Sequence, residues 1–228
     1  MNGFVLAGGQ STRMGRDKAL LEVNGRTLVE HMLEKLRGLG LEARICGSRS
    51  DLAPFAEVVP DNFAQSGPLG GMEAALAVSD SELNLFVAVD LPGIPEEFLG
   101  WLMGRAERSR AVATIPRYGD RLQPLCAVYS RRLVEGLRES LRAGRRKVMD
   151  GIRTSALGVG ESIDVFDAEC VAAAGCTEWL LEPPLAGWFR NVNTPAEYEA
   201  AIRVLRNGRP AVQKAVSRVG HPEGPEAR

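Results

Sequence analysis

Leu6-Ala7-Gly8-Gly9-Gln10-Ser11-Thr12-Arg13-Met14-Gly15-Arg16-Asp17-Lys18 follows directly on a short apolar run, and its reading decides the fold. Three glycines, two hydroxyls and three cations in so few residues describe a cradle for an anion. A loop that wraps phosphates needs backbone N–H groups that point inward, and glycine permits both the unusual dihedrals and the close approach. Gly8, Gly9 and Gly15 meet that need. Phosphate charge is balanced by a forked guanidinium or a compact ammonium, which makes Arg13 and Lys18 candidates and Arg16 a further one. The spacing fits neither a Walker loop nor a Gly-x-Gly-x-x-Gly dinucleotide fingerprint. The plainer alternative is a glycine-rich turn with incidental surface cations.

On either side of this loop the pattern is strand, loop, helix, strand. Phe4 to Ala7 reads as a buried strand. Thr27 is set to cap a helix with Leu28, Met32, Leu33 and Leu36 on one face, which Gly38 and Gly40 close, and Leu41 to Cys46 is the next strand. Such a βαβ unit implies a parallel sheet with a right-handed crossover. Sheets of this kind bind ligands at the carboxyl ends of their strands, where the glycine loop lies.

The same edge is reached twice more. After Glu57-Val58-Val59, the polar stretch from Pro60 to Ser66 leads into Gly67-Pro68-Leu69-Gly70-Gly71-Met72 and a helix to about Val78. Leu85 to Val89 then reads as a central strand that stops at Asp90, ahead of Leu91-Pro92-Gly93-Ile94-Pro95. A carboxylate there is well set to hold Mg2+ beside a phosphate chain, or else it is a turn aspartate ahead of the prolines.

Farther on, the pattern predicts a helix over 96–108, a strand over 111–115, a polar hairpin around Tyr118 to Arg121, a strand over 125–129 and a helix over 131–143. A further helix begins at the cationic run Arg145-Arg146-Lys147. Cations at that position oppose the helix dipole, which an anion would offset, although a solvated face is the simpler reading. From 154 to 184 the pattern is poor, with a strand expected near Ile163 to Phe166 and a short helix near Glu178 to Leu181. Trp188 to Asn193 reads as a last strand in which Asn191 and Asn193 share a face toward a metal or ligand, the alternative being a capped turn, with Thr194 and Pro195 opening a final helix.

Composition bounds the remainder. The 228 residues, 45% hydrophobic and 25% charged with net charge −1, suit an ordinary globular protein and give no global basic signal for nucleic acid. From Arg131 to Arg153, however, eight Lys/Arg face three Asp/Glu, a local patch suited to an anionic ligand. The first residues enter a strand without a signal-peptide pattern and no apolar run approaches a membrane span, so a cytoplasmic protein without membrane partners is expected. Four cysteines without a C-x-x-C pair read as reduced thiols. The expected organisation is one domain over 1–207 and a C-terminal tail over 208–228, frayed, disordered or helical in part.

Taken together, these blocks resemble the molybdenum cofactor guanylyltransferases, the MobA family of nucleotidyltransferases. The likeness rests on Leu6-Ala7-Gly8-Gly9 with Arg13-Met14-Gly15 and Asp17-Lys18, on Asp61 with Gly67 to Met72, on Asp90 with Pro92, on Gln123-Pro124, on Arg146, and on Asn191 to Pro195. It implies an α/β, Rossmann-like three-layer fold of glycosyltransferase-A-like architecture with a mostly parallel sheet. It also implies transfer of GMP from Mg-GTP to the phosphate of molybdenum-molybdopterin. Leu6, Ala7, Gly8, Gly9, Gly15, Lys18, Asp61, Gly67, Gly70 and Gly71 would then bind the nucleotide, and Asp90, Lys18 and Arg13 would be catalytic. Asp90 with Asn191 or Asn193 would hold Mg2+, and Gln123, Arg146 and Lys147 would receive the acceptor. Leu-Ala-Gly-Gly accompanies guanylyl transfer in this superfamily, whereas cytidylyl enzymes tend to carry Leu-Ala-Ala-Gly. Transient contacts with cofactor-synthesis proteins or receiving apoenzymes are implied as well. The remaining alternatives are another nucleotidyltransferase or a nucleotide-binding partner without catalysis.

Overall fold

The computed structural model describes residues 1–8, 17–173, 185–192, 194 and 196–199. The expected helix near 178–181 and the tail over 208–228 lie outside them, as do Gly9, Arg13, Gly15, Asn193 and Pro195.

The strands are β1 (Asn2–Leu6), β2 (Glu22–Val23), β3 (Arg26–Thr27), β4 (Ala43–Cys46), β5 (Val58–Val59), β6 (Leu83–Ala88), β7 (Ala113–Tyr118), β8 (Arg121–Leu122), β9 (Cys126–Ser130) and β10 (Ile163–Asp167). The helices are α1 (Leu28–Gly38), α2 (Gly67–Val78), α3 (Glu96–Ser109), α4 (Val134–Arg142), α5 (Val148–Gly158), α6 (Ala168–Ala173) and α7 (Leu185–Trp188). Eight strands form one sheet in the order β10-β7-β9-β6-β1-β4-β5, with β8 paired to β7. β1 is parallel to β4 and β6, whereas β9 runs antiparallel to both β6 and β7.

Alternation along each strand feeds two cores, because successive side chains point to opposite faces. On β1, Val5 and the following Ala7 pack with α1 and α3, and Phe4 and Leu6 pack with α2, α4 and α5. Both faces of the sheet are thus covered, giving the three-layer, mostly parallel α/β arrangement that the sequence implies. α1 starts where expected: Thr27 Oγ1 accepts from Glu30 N, and Glu30 Oε2 accepts from Thr27 N at 2.7 Å. This reciprocal cap satisfies two donors at the helix start. The β2–β3 hairpin, closed by Asn24 and Gly25 at positive φ, goes beyond the elements expected from the sequence, even though Asn-Gly is a strong turn signal.

The structure overturns one expectation, the last strand over 188–193. α7 ends at Trp188, and residues 189–192 form no strand. Trp188 is fully buried with its ring 5.1 Å from that of Phe98, and Phe189 packs on both Phe98 and Tyr118. Two consecutive aromatics are therefore turned onto α3 and β7, which a strand's alternation would not allow. Asn191 accordingly has no strand face to share with Asn193. Near its end the segment meets the sheet edge through its backbone, where Val192 N donates to Asp90 O at 3.0 Å.

Candidate active site

The carboxyl ends of β1, β4, β5 and β6 lie side by side, and the loops that leave them build the site. Leu6 is registered with both Cys46 and Ala88, so the three strands end level. Beyond them Ala7 N donates to Cys46 O, and Val89 N donates to Leu6 O at 3.1 Å. Gly8 and Gly47 meet here: a Cβ on Gly47, whose φ is +130°, would stand 3.0 Å from Gly8 Cα. A side chain at Gly47 would push the start of the glycine loop away from the sheet.

Asp90 stands two residues beyond the end of β6. Its Oδ2 lies 3.3 Å from Lys18 Nζ, with the side chains 19% and 20% exposed. Burial pushes the Asp90 carboxyl up from its ordinary value; Lys18 pulls it down and Glu197 adds to the rise. The loop beyond is held from two sides. Lys35 Nζ, reaching over from α1, donates to Pro92 O at 2.7 Å and to Ile94 O at 2.6 Å, and Gly93 lies so close to Gly187 O that a Cβ would come within 2.5 Å of it. These contacts make the position of Asp90 a property of the fold. Neither is signalled in the sequence, since Lys35 reads as one more surface position on an amphipathic helix.

Asp61 lies beyond β5. Its backbone N donates to Ser48 Oγ, and its Oδ1 is buried without a hydrogen-bond partner, 3.4 Å from where a Cβ on Gly71 would stand. Burial pushes this carboxyl up as well. A buried acceptor without a partner is costly, which makes Asp61 a candidate to receive a donor from a ligand. Gly67, Gly70 and Gly71 lie at the start of α2 beside it.

Asp17 and Lys18 receive the chain from the glycine loop. Asp17 accepts from Ala19 N and is ion-paired to Arg49, which also bonds Asp51. Sequence reading misses Arg49, because nothing near it in the chain marks Asp17 as its partner.

The expected acceptor residues reach the same edge by topology. β9 starts where β6 ends, with Cys126 registered to Val87 and Leu125 O accepting from Ala88 N, so Gln123 lies in the loop beside Asp90's strand. Gln123 Nε2 donates to Arg121 O. Gly151, in the first turn of α5, is packed against Leu69 in the first turn of α2, which brings exposed Arg146 and Lys147 to the α2 end of the edge. Asn191 is exposed next to Val192.

A family profile described as the MobA-like NTP transferase domain matches residues 3–157, a span holding every strand end just described. The chain belongs to that family. A protein of Pelotomaculum thermopropionicum named probable molybdenum cofactor guanylyltransferase is 40% identical over 91% of this chain and 94% of its own length. One of Syntrophotalea carbinolica named molybdenum cofactor guanylyltransferase is 35% identical over 86% of this chain and 87% of its own. Among solved structures, the molybdopterin-guanine dinucleotide biosynthesis protein A of Archaeoglobus fulgidus matches with TM-score 0.70 at 22% identity, over 90% of this chain and 99% of that one. The 2-C-methyl-D-erythritol 4-phosphate cytidylyltransferase of Thermus thermophilus matches with TM-score 0.60 at 16% identity, over 89% and 98%. These two likenesses bear on the fold. Membership of the MobA-like family makes the chain a nucleotidyltransferase. Among the described residues, no helix is long and apolar enough to cross a membrane.

Proposed function

We propose that the chain is a molybdenum cofactor guanylyltransferase, which transfers GMP from GTP to the terminal phosphate of molybdenum-molybdopterin and releases pyrophosphate. The observation that carries this reading is the pairing of Lys18 with Asp90 at the carboxyl ends of β1 and β6, in a chain 40% identical to a relative of that name.

In the reaction an acceptor phosphate oxygen forms a bond to the α-phosphorus of GTP. The bond from that phosphorus to the bridging oxygen breaks, and its electron pair leaves with pyrophosphate. Such a transfer needs alignment and charge neutralisation more than a protein nucleophile. Lys18 and Arg13 serve as the cations for the triphosphate, with the backbone of Leu6 to Gly9 and Gly15 around it. Asp61 offers its unfilled oxygen to nucleotide donors beside the Gly67 to Gly71 turn, and Leu6-Ala7-Gly8-Gly9 favours guanine. Gln123, Arg146 and Lys147 take the acceptor's phosphate.

Asp90 fits a hard divalent cation, because it is an oxygen donor pressed into a partly buried position where burial leaves its charge short of compensation. Asp90 with an amide oxygen of Asn191 or Asn193 would hold Mg2+, which when bound supplies positive charge beside the α-phosphate. The nucleotidyltransferase unit is taken as 1–207, working in the cytoplasm, with transient contacts to cofactor-synthesis proteins or receiving apoenzymes.

The test is incubation with labelled GTP, CTP or ATP, Mg2+ and molybdopterin with or without molybdate, followed by identification of the product. A guanine dinucleotide made from GTP in preference to the others is expected. Equal use of CTP would overturn the guanylyl choice, and nucleotide binding without any dinucleotide product would favour a non-catalytic partner.

A further inference from the structure

Of the buried polar side chains among the described residues, Glu73 alone carries a carboxylate. It stands on α2 two residues after Gly71, with no exposed surface. A charge so placed is tolerated only where both of its oxygens are served. Here Oε1 accepts from Arg138 Nε at 2.6 Å and Oε2 accepts from Asn62 Nδ2 at 3.0 Å. Arg138, on α4, also donates to Glu135 at 2.6 Å. A continuous polar link thus runs from α4 by way of the buried Glu73 side chain of α2 to the residue next to Asp61.

The loop over 60–66 is shaped under constraint at both ends. Gln65, a non-glycine residue, is held at φ +53°, and Ser66 is buried so close to Gly70 that a Cβ there would come within 2.7 Å of Ser66 Cβ. Glu73 anchors the other end through Asn62. Asn62 carries the nearest side-chain N–H donors along the chain to Asp61, and its engagement by Glu73 turns at least one of them away. Asp61 Oδ1 is left buried and unfilled.

We propose that Glu73, held by Arg138, is a positioning residue for the nucleotide: by engaging Asn62 it fixes the 60–66 loop so that Asp61 presents an empty carboxylate oxygen to N–H or O–H donors of the bound nucleoside triphosphate. The proposal rests on the nucleotide-binding reading of Asp61 given above. It makes α2 and α4 determinants of nucleotide affinity from beneath the site, without contact with the ligand.

The experiment compares GTP binding and steady-state turnover of wild type, Asp61→Asn, Asn62→Ala, and the double variant Glu73→Leu/Arg138→Leu, in which an apolar pair replaces the ion pair so that no buried charge is stranded. Asn62→Ala cuts the same link from an exposed residue and does not depend on the core tolerating the exchange. Expected for both is a roughly tenfold weaker affinity for GTP and a KM raised to match, with kcat within about twofold, as for loss of one charge-assisted contact. In either background Asp61→Asn should add less than about twofold, since its oxygen is already displaced. Arg138→Lys, which keeps a cation for Glu73, should retain an affinity near that of wild type. Wild-type GTP affinity in Asn62→Ala, or full additivity with Asp61→Asn, would overturn the positioning role while leaving the nucleotide reading intact. If Asp61→Asn itself bound GTP normally, the reading of Asp61 would fall and the proposal with it.

Discussion

Lys18 Nζ and Asp90 Oδ2, 72 residues apart in sequence, meet at 3.3 Å where the glycine loop rejoins the fold beside the end of β6. The cation offsets only part of what burial costs the Asp90 charge. The cation lowers the Asp90 carboxyl against the larger rise that burial causes.

Removing that cation should therefore have two separable effects. Lys18→Ala should weaken GTP binding roughly tenfold or more, the loss of a charge-assisted contact worth about 1.5–3 kcal/mol. It should also raise the Asp90 carboxyl further, so that the acid limb of the kcat/KM profile moves to higher pH. A pH series from 5 to 9 on both proteins checks this, and an unshifted acid limb would separate Asp90 ionisation from activity.

Asp90→Asn keeps shape and removes charge. Turnover should fall by orders of magnitude with folding retained, because charge stabilisation dominates phosphoryl-type transfer. Titration of Mn2+ followed by electron paramagnetic resonance reads metal affinity apart from activity, and an unchanged affinity would locate the metal elsewhere.

Asp61 illustrates a conflict between stability and binding. Its carboxyl is raised by burial, so at pH above the ordinary aspartate value of 3.8 the folded state binds more protons than the unfolded one, and stability falls as pH rises through that window. Asp61→Asn should melt above wild type at pH 7 without nucleotide, and the gap should close near pH 3, where both states of wild type are largely protonated. Calorimetry at the two pH values decides it. The same variant should bind GTP less well.

Much of this arrangement is legible in the sequence and part of it is not, for a physical reason. Gly8, Lys18 and Asp90 can be read because a loop at a strand end announces itself through neighbouring residues, and α1 because its cap and its apolar spacing are both local. The Glu73 ion pair with Arg138 spans 65 residues and is invisible until α2 and α4 are packed together. The stretch from Trp188 to Val192 misleads because consecutive aromatics followed by an amide imitate a strand, while Trp188 and Phe189 in fact both turn onto Phe98. Nothing in the apolar run over 126–130 distinguishes β9, antiparallel, from its parallel neighbours.

Lys35 should be detectable by its titration. Burial pulls its ammonium down to about 8, against the opposing pull of Glu96, Glu97 and Cys126, whereas the unfolded chain keeps the ordinary 10.5. Between those values the unfolded state holds the extra proton, so stability should rise with pH across that window relative to Lys35→Met. Denaturant melts of the two proteins at pH 7 and pH 9.5 measure the difference. The Met variant should also lose roughly 1–3 kcal/mol at pH 7 from stranding Pro92 O and Ile94 O. A pH-independent difference would mean that burial does not lower the Lys35 ammonium in the folded state.

Arg146→Ala should raise the KM for the acceptor and leave GTP affinity nearly unchanged, as expected of an exposed cation at the α2 end of the edge. Two-substrate kinetics separate the two. A selective loss of GTP affinity would move the cationic run Arg145 to Lys147 to the nucleotide side.

The bond from Val192 to Asp90 sets a schedule for the ribosome. β1, β4 and β6 can assemble once the first hundred or so residues have emerged, yet the loop carrying Asp90 lacks its second clamp until residues 187–192 have been synthesised, and chains grow at about 5–20 residues per second. Until then a nascent chain holds the strands of the Asp90 edge with that second contact unmade. Chains clipped just before Gly187 would keep every strand of the sheet yet lack this contact, and should be poor consumers of nucleotide.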